Sequence, residues 1–526
     1  MKTVIIMLIF IISLSVLVTG CIESEPKTSD NGTNAQSDKQ TLDAAMIFGP
    51  SESLDPAYKW VGWYTRKAGI YETLFSYDEN MNLQPELAKS YEQVNNTTWK
   101  INLEENIEFH DGSQLNADAV IYSLERVIDP SNNRSSQYDF IKSVSKIDDY
   151  TVKIETKKPY APTIASLTDP VVSIVSPNAS DIDNNPVGTG PFKFDSFDKG
   201  IKLSVVNNKN YWNGDVELDE VNLYYVSDPV TRSMQLQGKD VDIARGIPPE
   251  EEGVIRNKSD FEIKSREALR TAFMYVNTKK PPLDDVNVRR ALNYAIDREQ
   301  AVNTALEGVG GTPAKSLYPS VLQWSVNDEI DGYNHNPEKA KQLLSDAGIS
   351  DTDGDGWLDY QGETLELTIK TYQSRPELKP TTEVIATQFK DIGIKTNVRV
   401  LESGALSSDM NNGNYDLALY AWGVAPTGDP DYFLSKHFES TGTNAEWTGY
   451  NNSDVDRWIE LGRETMNNTK RKHYYDEVQK QVIKDSPEIF VFNYKEIVGE
   501  RKNVEGYRIY PNEITFLTEN VRINGE

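Results

Sequence analysis

The 526-residue sequence predicts an α/β fold that is divided into two or more lobes and contains mixed sheets. The chain is longer than the roughly 250–300 residues at which a single hydrophobic core stops growing, so we expect more than one lobe, each with its own core. Between residues 365 and 422 a strand, a helix and two further strands follow one another at the spacing of βαβ crossovers. This spacing predicts a mixed α/β sheet, and the first half of the chain is richer in strands.

The first element is an apolar leader that ends at Cys21, the single cysteine of the chain. Lys2 precedes an uncharged run over residues 4–18, and a secretory apolar segment has about 7–15 residues, whereas a membrane-spanning helix needs ~20. We therefore predict a signal peptide at 1–20. The ending Leu17-Val18-Thr19-Gly20-Cys21 resembles the lipobox of prokaryotic lipoproteins, which implies lipidation of the cysteine. The alternatives are an ordinary secretory signal and an uncleaved anchor.

A polar segment at residues 21–40 follows the leader, and it is rich in turn formers and lacks aromatic residues. This composition predicts a disordered tether, with ordered structure beginning near Thr41. The formal net charge of -27 excludes nucleic acid as a partner, because phosphates require surfaces rich in lysine and arginine. A mature chain without a thiol other than Cys21 also excludes disulfides and cysteine nucleophiles.

The strands and helices in the central part of the chain are predicted from the spacing of their apolar residues. We predict strands at 98–103, 151–156, 202–206 and 221–225, and a helix over 286–306 whose apolar stripe faces the core. Asn336 and Pro337 form the N-cap and first turn of another helix, which Gly348 ends. Three strands beginning near residues 365, 394 and 415 flank a helix over 381–392.

An acidic loop between two of these elements has the start of a calcium-binding pattern. Asp351, Asp353 and Asp355 occupy positions 1, 3 and 5, and Gly356 occupies position 6. The twelfth position, where a bidentate glutamate is expected, is Gly362. The loop therefore predicts either a weak structural Ca²⁺ site or an acidic hairpin without a metal, and no other cofactor is expected.

Several segments, in the same order along the chain, resemble the family 5 extracytoplasmic solute-binding proteins, the peptide and nickel receptors of ABC importers. Each segment by itself is weak evidence for the family, but their occurrence in the family's order is specific. They are 87–91 with 98–101, 107–112 with 116–120, 186–192 (PVGTGPF), 208–212 (NKNYW), 288–298 (VRRALNYAIDR) and 336–340 (NPEKA).

This resemblance implies a two-lobed periplasmic-binding-protein fold (type II, cluster C-like) with a double-crossover hinge. The first lobe would comprise residues 41–270, with an extra β-rich subdomain at about 91–185, and the second lobe 271–494. Residues 495–526 would return to the first lobe. The hinge candidates are 274–277 and 491–494, and ligand would favour the closed state by contacting both lobes.

The resemblance also suggests which residues contact the ligand. Trp422 lies in a segment after a second-lobe strand where relatives bind ligand, although a core position is the alternative. Peptide-binding relatives use a nearby aspartate for the peptide amine, but here that position is Ala425 or Pro426, so Asp429 or Asp431 would substitute. In the first lobe, Tyr58 and Trp60 follow an Asp-Pro turn that resembles a cleft-lining loop.

Nickel-chelate relatives suggest a second set of residues. Arg134 matches an arginine that neutralises the carboxylates of the chelator, and the alternative is a solvated loop charge. His437 lies near the position of a supporting histidine, and the alternative is an incidental histidine on a helix surface.

The implied function is a monomeric receptor, not an enzyme, that delivers a small solute to an ABC permease at the extracytoplasmic face of a prokaryotic membrane, to which a lipid anchor tethers it. A short peptide is the first ligand hypothesis, a nickel or other metal chelate the second, and a sugar a weaker third. A secreted hydrolase is a remote alternative, since the chain lacks the Gly-x-Ser-x-Gly and His-Glu-x-x-His motifs.

Overall fold

The computed structural model describes residues 39–524. The predicted signal peptide, Cys21 and nearly all of the predicted tether lie outside these residues. Within 39–524, no helix has both the length and the apolar character needed to cross a membrane.

Strands and helices alternate along the described chain. The strands are β1 (Thr41–Met46), β2 (Phe75–Tyr77), β3 (Leu83–Pro85), β4 (Ala88–Asn95), β5 (Thr98–Leu103), β6 (Ile141–Asp148), β7 (Thr151–Thr156), β8 (Phe192–Asp198), β9 (Lys202–Asn207), β10 (Glu220–Tyr225), β11 (Ile243–Arg245), β12 (Phe261–Val276), β13 (Gly311–Pro313), β14 (Asp359–Tyr360), β15 (Glu363–Thr364), β16 (Glu366–Tyr372), β17 (Lys395–Leu401), β18 (Leu417–Gly423), β19 (Glu488–Arg501), β20 (Val504–Glu505) and β21 (Arg522–Ile523).

The helices are α1 (Val61–Lys67), α2 (Ala117–Ile128), α3 (Thr163–Ser166), α4 (Pro229–Gly238), α5 (Pro249–Arg256), α6 (Val286–Ala295), α7 (Arg298–Ala305), α8 (Pro337–Asp346), α9 (Leu378–Asp391), α10 (Ser403–Asn411), α11 (Asp431–His437), α12 (Ala445–Thr448), α13 (Ser453–Glu464) and α14 (Asn468–Asp485). Short 3₁₀ turns cover Ser135–Tyr138 and Pro170–Val172.

One large sheet connects both halves of the described chain. Its strand order is β17-β16-β18-β12-β19-β11-β1-β10-β9-β8, and β13 pairs with β19 beside this path. β1 runs parallel to β10 and β11, and β16 runs parallel to β17 and β18, whereas β12 is antiparallel to both of its neighbours. The predicted α/β fold with mixed sheets is therefore confirmed.

The two longest strands, β12 and β19, run beside each other through both lobes. Residues 261–267 of β12 pair with 495–501 of β19, and the register changes before Thr271, which pairs with Asn493. A bulge of this kind bends a strand and interrupts its ladder. A second register shift follows between Ala272 and Phe273. The lobe boundaries at 270/271 and 494/495 stay predictions. The hinge candidates at 274–277 are buried, and most of them pair inside the sheet.

In the second lobe, α9 connects the parallel strands β16 and β17, as the βαβ pattern predicts. The predicted helix over 286–306 is instead two helices, α6 and α7. The break follows from Asp297, whose side chain accepts a hydrogen bond from Gln300 N at 2.9 Å and so caps a new helix start. The predicted N-cap Asn336 is confirmed, since it accepts from Lys339 N at 2.9 Å.

The segment 186–192 fixes the position of α1, which carries part of the site described below. A Cβ on Gly188 would lie 2.1 Å from the carbonyl oxygen of Ile70, and one on Gly190 would lie 2.1 Å from that of Gly69. Only glycine therefore allows these two backbones to cross. Below this crossing, buried Glu72 accepts hydrogen bonds from Thr189, Tyr211 and Trp212 at 2.7–3.0 Å. These contacts explain why the 186–192 and 208–212 segments occur together.

Candidate ligand-binding cleft

A cleft of about 1160 Å³ opens between the two lobes. The first lobe contributes the loop before α1, the helix itself and the loops after β1 and β11. The second lobe contributes the loop after β16, the end of β18 and the start of α11, and the strands β12 and β19 pass beside it. Clefts at the carboxyl ends of strands are the usual ligand sites of α/β folds.

Aromatic side chains line both walls of this cleft. Tyr420 contacts Tyr372 and Trp422 with ring centroids 4.7 and 5.6 Å apart. On the first lobe, Trp60 meets Trp63 edge to face at 5.9 Å. The full aromatic set comprises Phe48, Trp60, Trp63, Tyr64, Tyr372, Tyr420, Trp422, Tyr432 and Tyr494. Such side chains bind ligands through large apolar faces at low entropic cost.

Two of the predicted ligand residues come together here. Trp60 and Trp422 line the same cleft from different lobes, and Trp60 remains 42 % exposed. Trp422 is only half-buried, so part of its ring faces the cleft rather than the core. Tyr58 does not line the cleft, because its hydroxyl donates to Glu52 at 2.8 Å and its ring lies below Lys59.

Arg134 lies one layer behind the cleft wall, and the prediction that it contacts a chelator is not met by its geometry. It is 4 % exposed, pairs with buried Asp169 and donates to Gln137 at 2.8 Å. Its guanidinium carbon is 4.2 Å from the ring centroid of Trp60. The alternative, a solvated charge on a loop, is also wrong because the side chain is buried. The structure instead makes Arg134 a support that fixes Trp60 by a cation–π contact.

Asp429 and Asp431 form ion pairs and hydrogen bonds within the protein and do not line the cleft. Both oxygens of buried Asp429 accept from the Nη2 of Arg471, at 3.0 and 2.9 Å, and one of them caps Asp431 N at 3.0 Å. Asp431 accepts from Arg463 at 3.1 Å and from Tyr160 at 3.3 Å. Carboxylates that are already paired and enclosed in this way are not available to a ligand amine.

His437 is a core residue and not a chelate contact or a surface histidine. Its side chain is fully buried, stacks on Phe433 at 3.5 Å and lies 2.8 Å from the carboxyl of Glu488. Burial, with Lys436 as the next cause, lowers the pKa of His437 well below its usual value, and burial raises the pKa of Glu488 well above its usual value. Both shifts favour the uncharged form of each partner.

The cleft contains charged residues that the sequence patterns did not reveal. Arg245 pairs with Glu496, and Arg270 donates to both oxygens of Glu513 at 3.0 Å. Lys67 also lines the cleft. Burial, followed by repulsion from Arg245, lowers its pKa to about 7. The basic last turn of α1 was visible in sequence, but nothing indicated that it faces a cleft.

The acidic loop brings together a different set of carboxylates from the predicted one. Oxygens of Asp351, Asp353 and Asp359 lie within 4.8 Å of one another, whereas Asp355 is not part of this group. Asp359 is the first residue of β14, and it is buried. Its carboxylate accepts a hydrogen bond from Thr352 N at 2.8 Å, which places it beside the loop. Three carboxylates suit Ca²⁺, but its usual coordination of about six to eight oxygens would require further ligands from carbonyls or water.

Comparison with known proteins identifies relatives of the whole described fold. Residues 82–445 match the family of bacterial extracellular solute-binding proteins, family 5 Middle. The chain is 26% identical to the oligopeptide-binding protein AppA of Bacillus subtilis (strain 168), and the match covers 97% of both proteins.

Two solved structures share this fold. NikA from Staphylococcus aureus in complex with Ni(L-His)2 matches with a TM-score of 0.77 and 26% identity, covering 92% of this chain and 100% of that one. AppA from Bacillus subtilis in complex with a nonapeptide matches with a TM-score of 0.77 and 25% identity, covering 93% of this chain and 100% of that one.

Proposed function

This chain belongs to the bacterial extracellular solute-binding proteins of family 5, and we propose that it captures a short peptide for an ABC importer. The observation that carries this proposal is the cleft between the lobes, whose aromatic walls come from both of them. Its volume of about 1160 Å³ exceeds the roughly 300–1,000 Å³ typical of sites for drug-sized ligands. A ligand of peptide size would contact both walls and favour the closed arrangement.

The chemistry of the cleft supports binding rather than catalysis. Among the described residues that line it there is no histidine and no cysteine, so the serines of the cleft wall lack a neighbouring imidazole. Of the charged groups that line it, Arg245 is paired with Glu496 and Arg270 with Glu513. These features support a receptor over the hydrolase alternative, and the ligand would leave the cleft chemically unchanged.

A metal chelate is the second candidate ligand. It is favoured by the likeness to NikA in complex with Ni(L-His)2 and by the cationic groups in the cleft, which suit the carboxylates of a chelator. Arg134 and His437 do not support it, because both are enclosed by protein. In the chelate hypothesis the ligand itself would supply most of the metal's donors.

Native mass spectrometry of protein purified from its own host tests this proposal. A ladder of masses that correspond to short peptides is the expected result, and a mass that disappears on metal removal would favour the chelate. Small-angle scattering should show a more compact particle with ligand than without. A protein that retains neither ligand and stays open with both would contradict the proposal.

We also propose that the mature protein is attached to the outer face of the membrane through a lipid on Cys21. The support is the lipobox resemblance of residues 17–21 and the extracytoplasmic location of the family. A single acyl chain binds membranes only weakly, so a second chain or signal is expected. Membrane fractionation of the Cys21→Ser variant tests this: the variant should be released, and its retention would contradict lipid anchoring.

A further inference from the structure

We propose that a latch, formed by Tyr160 and Ala161 of the first lobe with Asp431 and Arg463 of the second lobe, holds the two lobes closed. The inference rests on the proposed receptor function and adds residues that set the affinity for every ligand without contacting any of them. None of the four latch residues lines the cleft. They also lie outside β12 and β19, the two strands that run through both lobes, so the latch is a separate connection between the lobes.

Two hydrogen bonds form the latch. The backbone N–H of Ala161 donates to the carbonyl oxygen of Arg463 at 2.7 Å. Arg463 lies in the last turn of α13, where carbonyl oxygens lack a partner within the helix, so the first lobe supplies the missing donor. The hydroxyl of Tyr160 donates to Oδ2 of Asp431 at 3.3 Å. Burial, followed by the charge of Asp431, raises the pKa of Tyr160 well above its usual value, so the hydroxyl keeps the proton that it donates.

Each partner of the Tyr160 hydrogen bond is fixed by its own lobe. The ring of Tyr160 stacks on Phe140 with the ring centroids 4.1 Å apart. Oδ1 of Asp431 accepts from Arg463 Nε at 3.1 Å and from the hydroxyl of Tyr475 at 3.3 Å. Asp431 therefore keeps two second-lobe donors when the lobes separate. The latch can break without leaving a buried carboxylate unsatisfied, which makes a reversible contact energetically accessible.

Apolar side chains also cross between the lobes beside the latch. Tyr77 and Met81 belong to the first lobe, but both are buried in the hydrophobic cluster of the second lobe. Met466 packs in the opposite direction, onto the hydrophobic cluster of the β-rich subdomain. A Cβ on Gly428 would lie 2.4 Å from the ring of Tyr77, so only glycine lets this second-lobe loop approach so closely. These packing contacts place the two lobes side by side at the latch.

The loop that carries Asp431 also faces the ligand cleft. Pro426 and Tyr432 line the cleft, whereas Gly428 and Asp431, which lie between them in sequence, contact the first lobe. A ligand that orders this loop through Pro426 and Tyr432 therefore also places Asp431 against Tyr160. Because the latch forms only in the closed arrangement, it stabilises that state whichever ligand occupies the cleft.

The variant Tyr160→Phe removes the hydroxyl and keeps the stacked ring. Loss of a hydrogen bond to a charged group should shift the lobes towards the open state and lower the affinity about tenfold. The loss should appear as faster dissociation with an unchanged association rate, because the ligand enters before the latch forms. Calorimetry and stopped-flow kinetics should give the same factor for trialanine and for nickel(II) with L-histidine, since the latch touches neither probe. A residue that contacts ligand would change the two affinities by different factors.

Hydrogen exchange measures the latch without any ligand. Residues 159 and 162 are prolines, so Tyr160 and Ala161 carry the only amide hydrogens in the segment 159–162. In the ligand-free protein the Ala161 amide should exchange faster than the amides of β7, because separation of the lobes exposes it to water. Tyr160→Phe should accelerate this exchange about tenfold and leave the β7 amides unchanged. The control is Tyr150→Phe, which makes the same change at a partly exposed tyrosine of the same subdomain.

A second variant disturbs the latch from the other lobe. The Cβ that Gly428→Ala adds would displace the ring of Tyr77, so this variant should also accelerate exchange of the Ala161 amide. Small-angle scattering of both ligand-free variants should give a larger radius of gyration than that of the wild type.

The outcomes separate the latch from the receptor function. If the Ala161 amide exchanges as slowly as the β7 amides in the wild type and in both variants, the contact is permanent, and the latch is wrong while the receptor function stands. An affinity loss for one probe alone would also overturn the latch, because it would mark Tyr160 as a ligand contact. If the wild type binds neither probe but both variants accelerate the exchange, the latch stands and the proposed ligands are wrong.

Discussion

Replacing Asp429 by asparagine distinguishes a ligand contact from a structural ion pair. The nearest oxygen of Asp429 lies 2.9 Å from the Nη2 of Arg471, and both side chains are at least 94 % buried. At an effective dielectric constant of about 20, Coulomb's law gives roughly 6 kcal/mol for this pair. The substitution also removes the cost of burying the carboxylate, so we expect a net loss of about 3–5 kcal/mol in the free energy of unfolding.

Urea unfolding, followed by circular dichroism, measures this loss. The folded Asp429→Asn protein should retain its affinity for ligand, because Asp429 does not line the cleft. The control is the double variant Asp429→Asn with Arg471→Met, which removes the buried guanidinium too and should be less destabilised than the sum of the single variants. A single variant that unfolds like the wild type but binds ligand tenfold more weakly would refute the structural interpretation.

Three further predictions follow from the same structure. Trp422→Ala should weaken ligand binding by about 2 kcal/mol, roughly thirtyfold, while the unliganded protein loses less stability than the ~3–5 kcal/mol of a buried aromatic; an unchanged affinity would remove Trp422 from the site. Asp353→Ala should abolish the calorimetric heat of Ca²⁺ binding whereas Asp355→Ala keeps it, and equal heats in both variants would dismiss the metal site. Burial raises the pKa of Glu488, so the stability that this group contributes is complete below its unfolded pKa of about 4.5 and is lost progressively as the pH rises towards its raised pKa in the folded protein. Glu488→Gln should therefore flatten the fall of the unfolding free energy with rising pH. Unfolding free energies of variant and wild type that decline in parallel from pH 5 to 8 would contradict this reasoning.

Sequence reasoning located the site better than it identified the residues in it. Trp60 and Trp422 were predicted because each follows a recognisable turn or strand, and both line the cleft. Asp429 and His437 were predicted from their position near Trp422 along the chain. A helix start after a strand carries side chains in several directions, and sequence spacing does not determine which of them face solvent.

The charged residues of the cleft were missed for a related reason. Lys67, Arg375 and Glu513 are separated by more than a hundred residues from one another, and no local pattern connects them. The same holds for the carboxylate group of the acidic loop, where Asp359 replaces Asp355 because a two-stranded turn brings it back to Asp351. Contacts of this kind arise only when distant segments fold together.

Local periodicity and capping determined the second-lobe βαβ elements, and the helix start at Asn336 is one example. Such features depend on neighbours within a few residues, and the sequence contains them directly. The chain order of the short motifs was also sufficient to indicate the family. The tertiary structure alone decided which charges are paired, since burial and partner distance determine whether an arginine supports the cleft wall, as Arg134 does behind Trp60, or lies in the cleft beside a carboxylate, as Arg375 does beside Glu377.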